Sequence, residues 1–243
     1  MRKRLFLATS LTLLLVSALI TPGTAAAQRQ PIRLAYLGDS LTMGLHASAT
    51  DQMYREVLAR RILDLHGGSV VSTVIQDPFG LTDDALRRSG PVVESRPDII
   101  ILEIGNHEAF TSSDQVDLFP ARYEELLDRL QGTGAVLIAG TVAWLNYPED
   151  SDDFRRALRV NQMIRDICAR RGITVADLWS PTVFRYDLIS RPGDPSVIEP
   201  FDGDDLHPND AGHMALADAF WSAYRREYAR RILAQLNLDA PAR

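Results

Sequence analysis

Five short apolar runs recur along the chain: "IRLAYLG" (32–38), "SVVSTVI" (69–75), "DIIILEIG" (98–105), "AVLIAGT" (135–141) and "ITVADLW" (173–179). They are rich in β-branched residues and nearly continuous rather than alternating, the pattern of strands in a parallel sheet covered on both faces. Between them the spacing of apolar positions changes to that of helices. Tyr54, Val57, Leu58, Ile62 and Leu65 share one face, with Asp51 before them and Gly67 after them as a stop signal. Further helices are predicted near 82–95, 120–130 and 154–171. A long final helix is predicted from Pro208, whose missing N–H costs nothing at a helix start, with Met214, Ala217, Trp221, Tyr224, Tyr228 and Ile232 as its apolar stripe. Regular alternation of strand and helix predicts an α/β doubly wound fold with right-handed crossovers. Ligands of such sheets bind at the carboxyl ends of the strands. Ser40, Gly80, the segment 105–108 and the segment 143–153 all follow such ends.

The N-terminus belongs to a different pattern. Arg2, Lys3 and Arg4 precede an apolar run over 5–20 and a small-residue stretch at 24–27, which together predict a secretory signal peptide over 1–27, cleaved after Ala27. The run contains Thr9, Ser10, Thr12 and Ser17 and is shorter than the roughly 20 residues of a spanning helix, so stable membrane insertion after cleavage is not expected. The expected destination is secreted or periplasmic. Residues 28–243 are of a length suited to one domain with a substantial core. The whole chain has a net charge of −6, and loss of the basic leader makes it more negative, which disfavours nucleic acid as a partner. Lys3 is the only lysine, so beyond the leader every positive side chain is an arginine. Cys168 is the only cysteine, which excludes an intrachain disulfide and leaves stability to the core. It shares a helical face with Ile164 and Ile167 and is expected to be a buried small hydrophobe.

Candidate chemistry lies at both ends of the domain. "YLGDSLTMGL" puts Ser40 just past the first strand. A serine hydroxyl needs a base to become a nucleophile, and the base needs an orienting acid. "FDGDDLHPNDAGH" supplies both, since Asp204 precedes His207 by three residues and a tight turn can bring its carboxylate to one imidazole nitrogen. The same stretch permits a competing reading, a metal site built from Asp202, Asp204, Asp205, His207, Asp210 and His213. It lacks the acids at every second position and the terminal bidentate glutamate of a hard-cation loop. His213 is expected on the first turns of the last helix, and His46 and His66 on the surface.

Taken together, Gly38-Asp39-Ser40-Leu41 and Asp204-Asp205-Leu206-His207-Pro208 resemble the first and last blocks of the SGNH hydrolases, also called GDSL-type esterases and lipases. The resemblance covers nearly all of residues 28–243. It implies a three-layer α/β/α, flavodoxin-like fold on a five-stranded, mostly parallel sheet, and a serine esterase without metal or cofactor. It further implies Ser40 as nucleophile, His207 as base and Asp204 as its partner, with Gly80 of "FGLTDDAL" donating its N–H to the oxyanion. The third block departs from the family's GxND pattern. Aligned without a gap, "EIGNHEAF" places His107 where the family has its donor Asn, and Asn106 one residue early. The ungapped register favours His107 as the third donor over Asn106. Loss of one such donor costs roughly 10²–10³ in turnover, so a slow enzyme is expected rather than a dead one.

The long irregular stretches 143–154 and 180–203 are expected to overhang the cleft, with Trp144 and Tyr147, and also Phe184 and Tyr186, as candidates to line it. No long apolar lid is visible. The expected substrate is a short-chain carboxylic ester, either an O-acetyl carbohydrate or a small acyl ester. A lysophospholipase or thioesterase is the next reading, and a catalytically lapsed glycan- or lipid-binding protein is the reading from another class. The oligomeric state is left open.

Overall fold

A computed structural model describes residues 30–193 and 204–238, so the expected signal peptide and Asp202 lie outside the described residues. Five strands form one parallel sheet: β1 (Ile32–Gly38), β2 (Val70–Gln76), β3 (Ile99–Glu103), β4 (Val136–Gly140) and β5 (Thr174–Ala176). Their order is β2-β1-β3-β4-β5, that of a flavodoxin-like doubly wound sheet. Each strand falls inside one of the apolar runs, except that β2 extends one residue past its run to Gln76, and β3 is buried at every position. The sheet registers Gly38 on β1 against Gln76 on β2 and Glu103 on β3, which brings three strand ends to one edge.

Eight α-helices complete the described chain: α1 (Ser40–Met43), α2 (Tyr54–His66), α3 (Thr82–Arg88), α4 (Gly90–Glu94), α5 (Asn106–Thr111), α6 (Ser113–Gln131), α7 (Asp152–Arg171) and α8 (Asp210–Leu238). They form two packed groups, α2 with α8 and α6 with α3, α5 and α7, as a sheet covered on both faces requires.

The expected helix boundaries need three corrections. The segment 82–95 is two helices broken at Ser89, because Gly90 and Pro91 start a new first turn. The third helix begins at Ser113 rather than Pro120, since the Ser112 hydroxyl caps it by accepting from the Gln115 N–H and the buried face extends back to Val116 and Phe119. The last helix begins at Asp210. Pro208 instead pairs with Ile189 in an antiparallel bridge, and the Asn209 side chain caps the helix by accepting from the Gly212 N–H at 3.0 Å.

The buried stripe of α8 is also rotated from the expected one. Leu216, Ala217, Phe220, Ala223 and Tyr224 face the core, while Met214, Tyr228 and Ile232 are exposed, as is Leu65 on α2. Cys168 is fully buried as expected, and that burial pushes its thiol up to about 11, so it stays a protonated core side chain.

Candidate active site

Ser40 owes its position to the two residues before it. A side chain at Gly38 would bring a Cβ within 1.9 Å of Thr42 Oγ1 and 2.8 Å of the Glu103 carbonyl oxygen, so the chain can turn this tightly off β1 only without one. Asp39 then caps α1, its Oδ1 accepting the Leu41 N–H at 2.9 Å. Ser40 is the first residue of that helix, which is only four residues long and ends at Gly44 in the left-handed conformation, φ +88°. The sharp strand-to-helix turn sets the Ser40 side chain at the carboxyl edge of the sheet.

The segment 204–208 meets it there. Asp204 Oδ1 accepts the N–H groups of Leu206 and His207, each at 2.9 Å, and its Oδ2 lies 2.5 Å from His207 Nδ1. The far ring nitrogen, Nε2, lies 2.8 Å from Ser40 Oγ. Burial works to raise the Asp204 pKa, but the hydrogen bonds and charge of His207 and the Leu206 N–H outweigh it and hold the carboxyl well below the usual carboxylate range. A carboxylate only accepts, so the proton of the imidazole sits on Nδ1 and the lone pair of Nε2 faces the serine hydroxyl. Three bonds fix the segment that carries both side chains. Ser190 N–H donates to the His207 carbonyl at 2.8 Å, the Asp205 N–H donates to the Ser190 carbonyl at 3.1 Å, and Asn146 Nδ2 donates to the Asp205 carbonyl at 2.8 Å.

The three groups expected to complete an oxyanion hole are held otherwise. The Gly80 N–H closes a turn onto the Asp77 carbonyl at 3.0 Å. Asn106 Nδ2 donates to Asp39 Oδ2 at 3.0 Å and to Glu103 Oε1 at 2.6 Å, which uses both of its protons beneath the Ser40 turn. His107 Nε2 lies 2.6 Å from the Pro78 carbonyl, an acceptor, so this nitrogen carries a ring proton and spends it on that turn. The expectation that Gly80 with His107 or Asn106 presents ready donors is therefore corrected for this geometry. The Ser40 N–H, in the first turn of α1, belongs to the class that a helix leaves without an internal acceptor. Glu108 accepts the Thr82 N–H and hydroxyl, each at 2.7 Å, and so ties α5 to the start of α3.

Residues 36–215 match the GDSL-like Lipase/Acylhydrolase family. The chain belongs to that family. No curated protein matches it. Solved structures with the same fold include the lipase Lip_vut3 from a goat rumen metagenome, at TM-score 0.67 and 14% identity over 79% of this chain and 97% of that one. A lipase/acylhydrolase from Enterococcus faecalis gives TM-score 0.62 and 20% identity over 79% and 94%. An acetylxylan esterase from Geobacillus stearothermophilus gives 0.63 and 16% over 81% and 95%. Membership makes this chain a serine hydrolase of the carboxylic ester type. Among the described residues no helix is long and apolar enough to cross a membrane.

In this GDSL-like acylhydrolase the residues of the competing metal reading disperse. Asp210 accepts from the Ser48 N–H and hydroxyl, and His213 is buried, its Nε2 2.9 Å from the Leu45 carbonyl. Burial lowers the His213 pKa to about 4, so it donates as a neutral ring. Two other histidines differ from expectation. His66 pairs with the Tyr224 hydroxyl at 2.6 Å, and His46 is buried against His207. His46, Asp204 and His207 have ligand atoms within 4.8 Å of one another. In this arrangement His207 Nδ1 is already bonded to Asp204 Oδ2 and His46 Nδ1 lies 3.0 Å from the Ser190 hydroxyl.

Trp144 and Tyr147, expected to line the cleft, are core residues. Both are about 1% exposed, and Trp144 Nε1 donates to the Tyr147 carbonyl at 3.0 Å. Phe184 and Tyr186 are exposed and pack edge-on against Trp144, and Phe79 beside His107 is 82% exposed. The misplacement has a simple cause, since the bend after β4 carries the segment 142–147 inward under these aromatics.

Proposed function

We propose that this acylhydrolase is an exported esterase for short-chain carboxylic esters, with Ser40 as nucleophile, His207 as base and Asp204 as its orienting acid. The observation that carries the reading is the 2.8 Å approach of His207 Nε2 to Ser40 Oγ, with the opposite nitrogen on Asp204. His207 Nε2 takes the hydroxyl proton as Oγ attacks the acyl carbon, then returns it to the departing alkoxide. Water attacks the resulting acyl-serine with His207 again taking the proton. The Ser40 N–H supports the oxyanion. The N–H of Gly80 must leave its turn to join it, which favours a modest turnover.

Support for a small acyl group comes from the resemblance in fold to acetylxylan esterases and from Phe79, Phe184 and Tyr186, exposed rings suited to the face of a sugar or a small ester. Export rests on the pattern of residues 1–27, and the mass of the protein recovered from an expressing cell tests it. Hydrolysis of p-nitrophenyl acetate, butyrate and octanoate, beside Ser40→Ala, tests the chemistry. The expected order is acetate over octanoate, with loss of turnover and of fluorophosphonate labelling in the variant. A preference for octanoate would favour a lysophospholipase or thioesterase. Labelling that persists in Ser40→Ala would remove Ser40 as nucleophile.

A further inference from the structure

His46 sits where nothing in its sequence neighbourhood announces it. Its φ is +64°, the left-handed region that non-glycine residues seldom occupy. Such a conformation persists where the surroundings over-determine it, and here they do. The Ser48 N–H donates to Asp210 Oδ1 at 2.7 Å, and His213 Nε2 donates to the Leu45 carbonyl at 2.9 Å, so the start of α8 holds the loop on both sides of His46.

The side chain, 4% exposed, reaches the acid–base pair from three directions. Its ring lies face to face with His207, centroids 5.2 Å apart and planes 10° apart. Its Nε2 stands 3.7 Å from Asp204 Oδ2, the same oxygen that His207 Nδ1 approaches at 2.5 Å. Its Nδ1 is 3.0 Å from the Ser190 hydroxyl. Ser190 is fully buried, and its own backbone bonds the 204–207 segment twice, once to His207 and once to Asp205.

We propose that His46 is a positioning residue for the Asp204–His207 pair. The inference rests on the reading of Ser40, His207 and Asp204 given above. His207 must keep its plane while its Nε2 trades a proton with Ser40 Oγ and then with the leaving group, since a twist of the ring carries Nε2 off that line. The bond from Asp204 fixes His207 Nδ1 but not the plane of the ring about that bond. The stacked ring of His46 blocks the twist from one face. Through Ser190 it also pins the backbone on which both side chains ride.

His46→Asn is the informative variant, since Asn tolerates the left-handed backbone and can accept from Ser190 but has no ring to stack. On p-nitrophenyl acetate its kcat should fall on the order of tenfold with KM little changed, as for a small misplacement of a reacting group. The low-field proton resonance of the His207–Asp204 bond, assigned by its loss in Asp204→Ala, should broaden or shift in His46→Asn. Unchanged kcat together with an unchanged resonance in a folded His46→Asn protein would overturn the proposal. If no turnover depends on Ser40, the esterase reading fails on its own, and the resonance alone decides the role of His46. Should His46→Asn not fold, Ser190→Ala leaves the strained residue in place and removes the partner of its Nδ1. The same two changes, in smaller degree, are expected there, and their absence would equally overturn the proposal.

Discussion

Glu103 and Asn106 share a 2.6 Å hydrogen bond beneath the turn that presents Ser40. Glu103 is also reached by the Thr42 hydroxyl at 3.2 Å, and Thr42 meets Tyr54 at 2.7 Å. Burial first, and then the neighbouring charge of Asp39, raise the Glu103 pKa well above the usual carboxylate range. Two carboxyls this close in a dry interior are compatible when one is a neutral acid. The floor of the site is therefore a glutamate whose burial favours its neutral form, joined in one hydrogen-bonded chain through the Asn106 amide to the Asp39 side chain.

Glu103→Gln should keep this chain, because an amide matches the shape of the neutral acid. An acid with a raised folded pKa weakens the fold as pH rises from its unfolded value toward the folded one, and Gln removes that penalty. The urea midpoint of Glu103→Gln, relative to wild type, is expected to be higher at pH 8 than at pH 5. An equal difference at both pH values would mean that Glu103 titrates in the fold as it does in the unfolded chain. Glu103→Leu, by contrast, strands the Asn106 amide and should cost about 1–3 kcal/mol.

Asn106 and His107 should separate by what each variant damages. Asn106→Ala leaves Asp39 and Glu103 without the amide between them and is expected to lose about 1–3 kcal/mol in urea unfolding. His107→Ala frees a carbonyl on a surface turn, so stability should hold and kcat should fall by less than the roughly 10²–10³ of a lost oxyanion donor. A loss of that full size at unchanged stability would show that the His107 ring leaves Pro78 and donates once substrate is bound.

Asp204→Asn tests the tautomer. An amide in place of the carboxylate can turn its NH₂ toward His207, which moves the ring proton to Nε2 and blunts the base. The kcat should fall on the order of 10⁴ with a nearly unchanged melting curve by circular dichroism. Retained turnover would mean that the His207 base does not need its Asp partner.

Glu227 on α8 provides a test of acid stability away from the site. Its burial works to raise the pKa, but hydrogen bonds from Arg230, Arg231 and Thr174 overcome that and hold it at about 2. A lowered folded pKa gives stability that is complete above the ordinary value and is lost as pH falls toward the folded one. The gap in urea midpoint between wild type and Glu227→Gln should thus be wider at pH 7 than at pH 3. A gap that stays constant between those values would disprove the linkage.

The fold was legible because its central strands β1, β3 and β4 are buried on both faces, and such strands write themselves as unbroken apolar runs, as 98–105 does. The approach of Ser40, His207 and Asp204 to one another was legible because short turns hold each side chain beside its motif. Helix ends were less so, since a cap such as Ser112 or Asn209 outweighs the signal of a nearby proline. The glutamate inside "IIILE" is a visible clue to the buried floor, an ionisable residue in a strand with no exposed face. His46 left no comparable trace, because its contact with His207 is made entirely by tertiary packing. Trp144 and Tyr147 misled for the opposite reason, as an aromatic in a loop reads the same whether the loop turns outward or in.

Ser40 and His207 are 167 residues apart in the chain. One follows β1 and the other precedes α8, so the pair meets only when the sheet between them has closed and α8 has docked. Such distant contacts carry the largest loop-closure entropy and form late. Recovery of turnover during refolding should then trail the recovery of secondary structure, which makes ester hydrolysis a reporter of the final docking step. On the chemistry proposed above, a partly assembled sheet would hold Ser40 without its base, and a chain still emerging from a ribosome would not yet cleave esters.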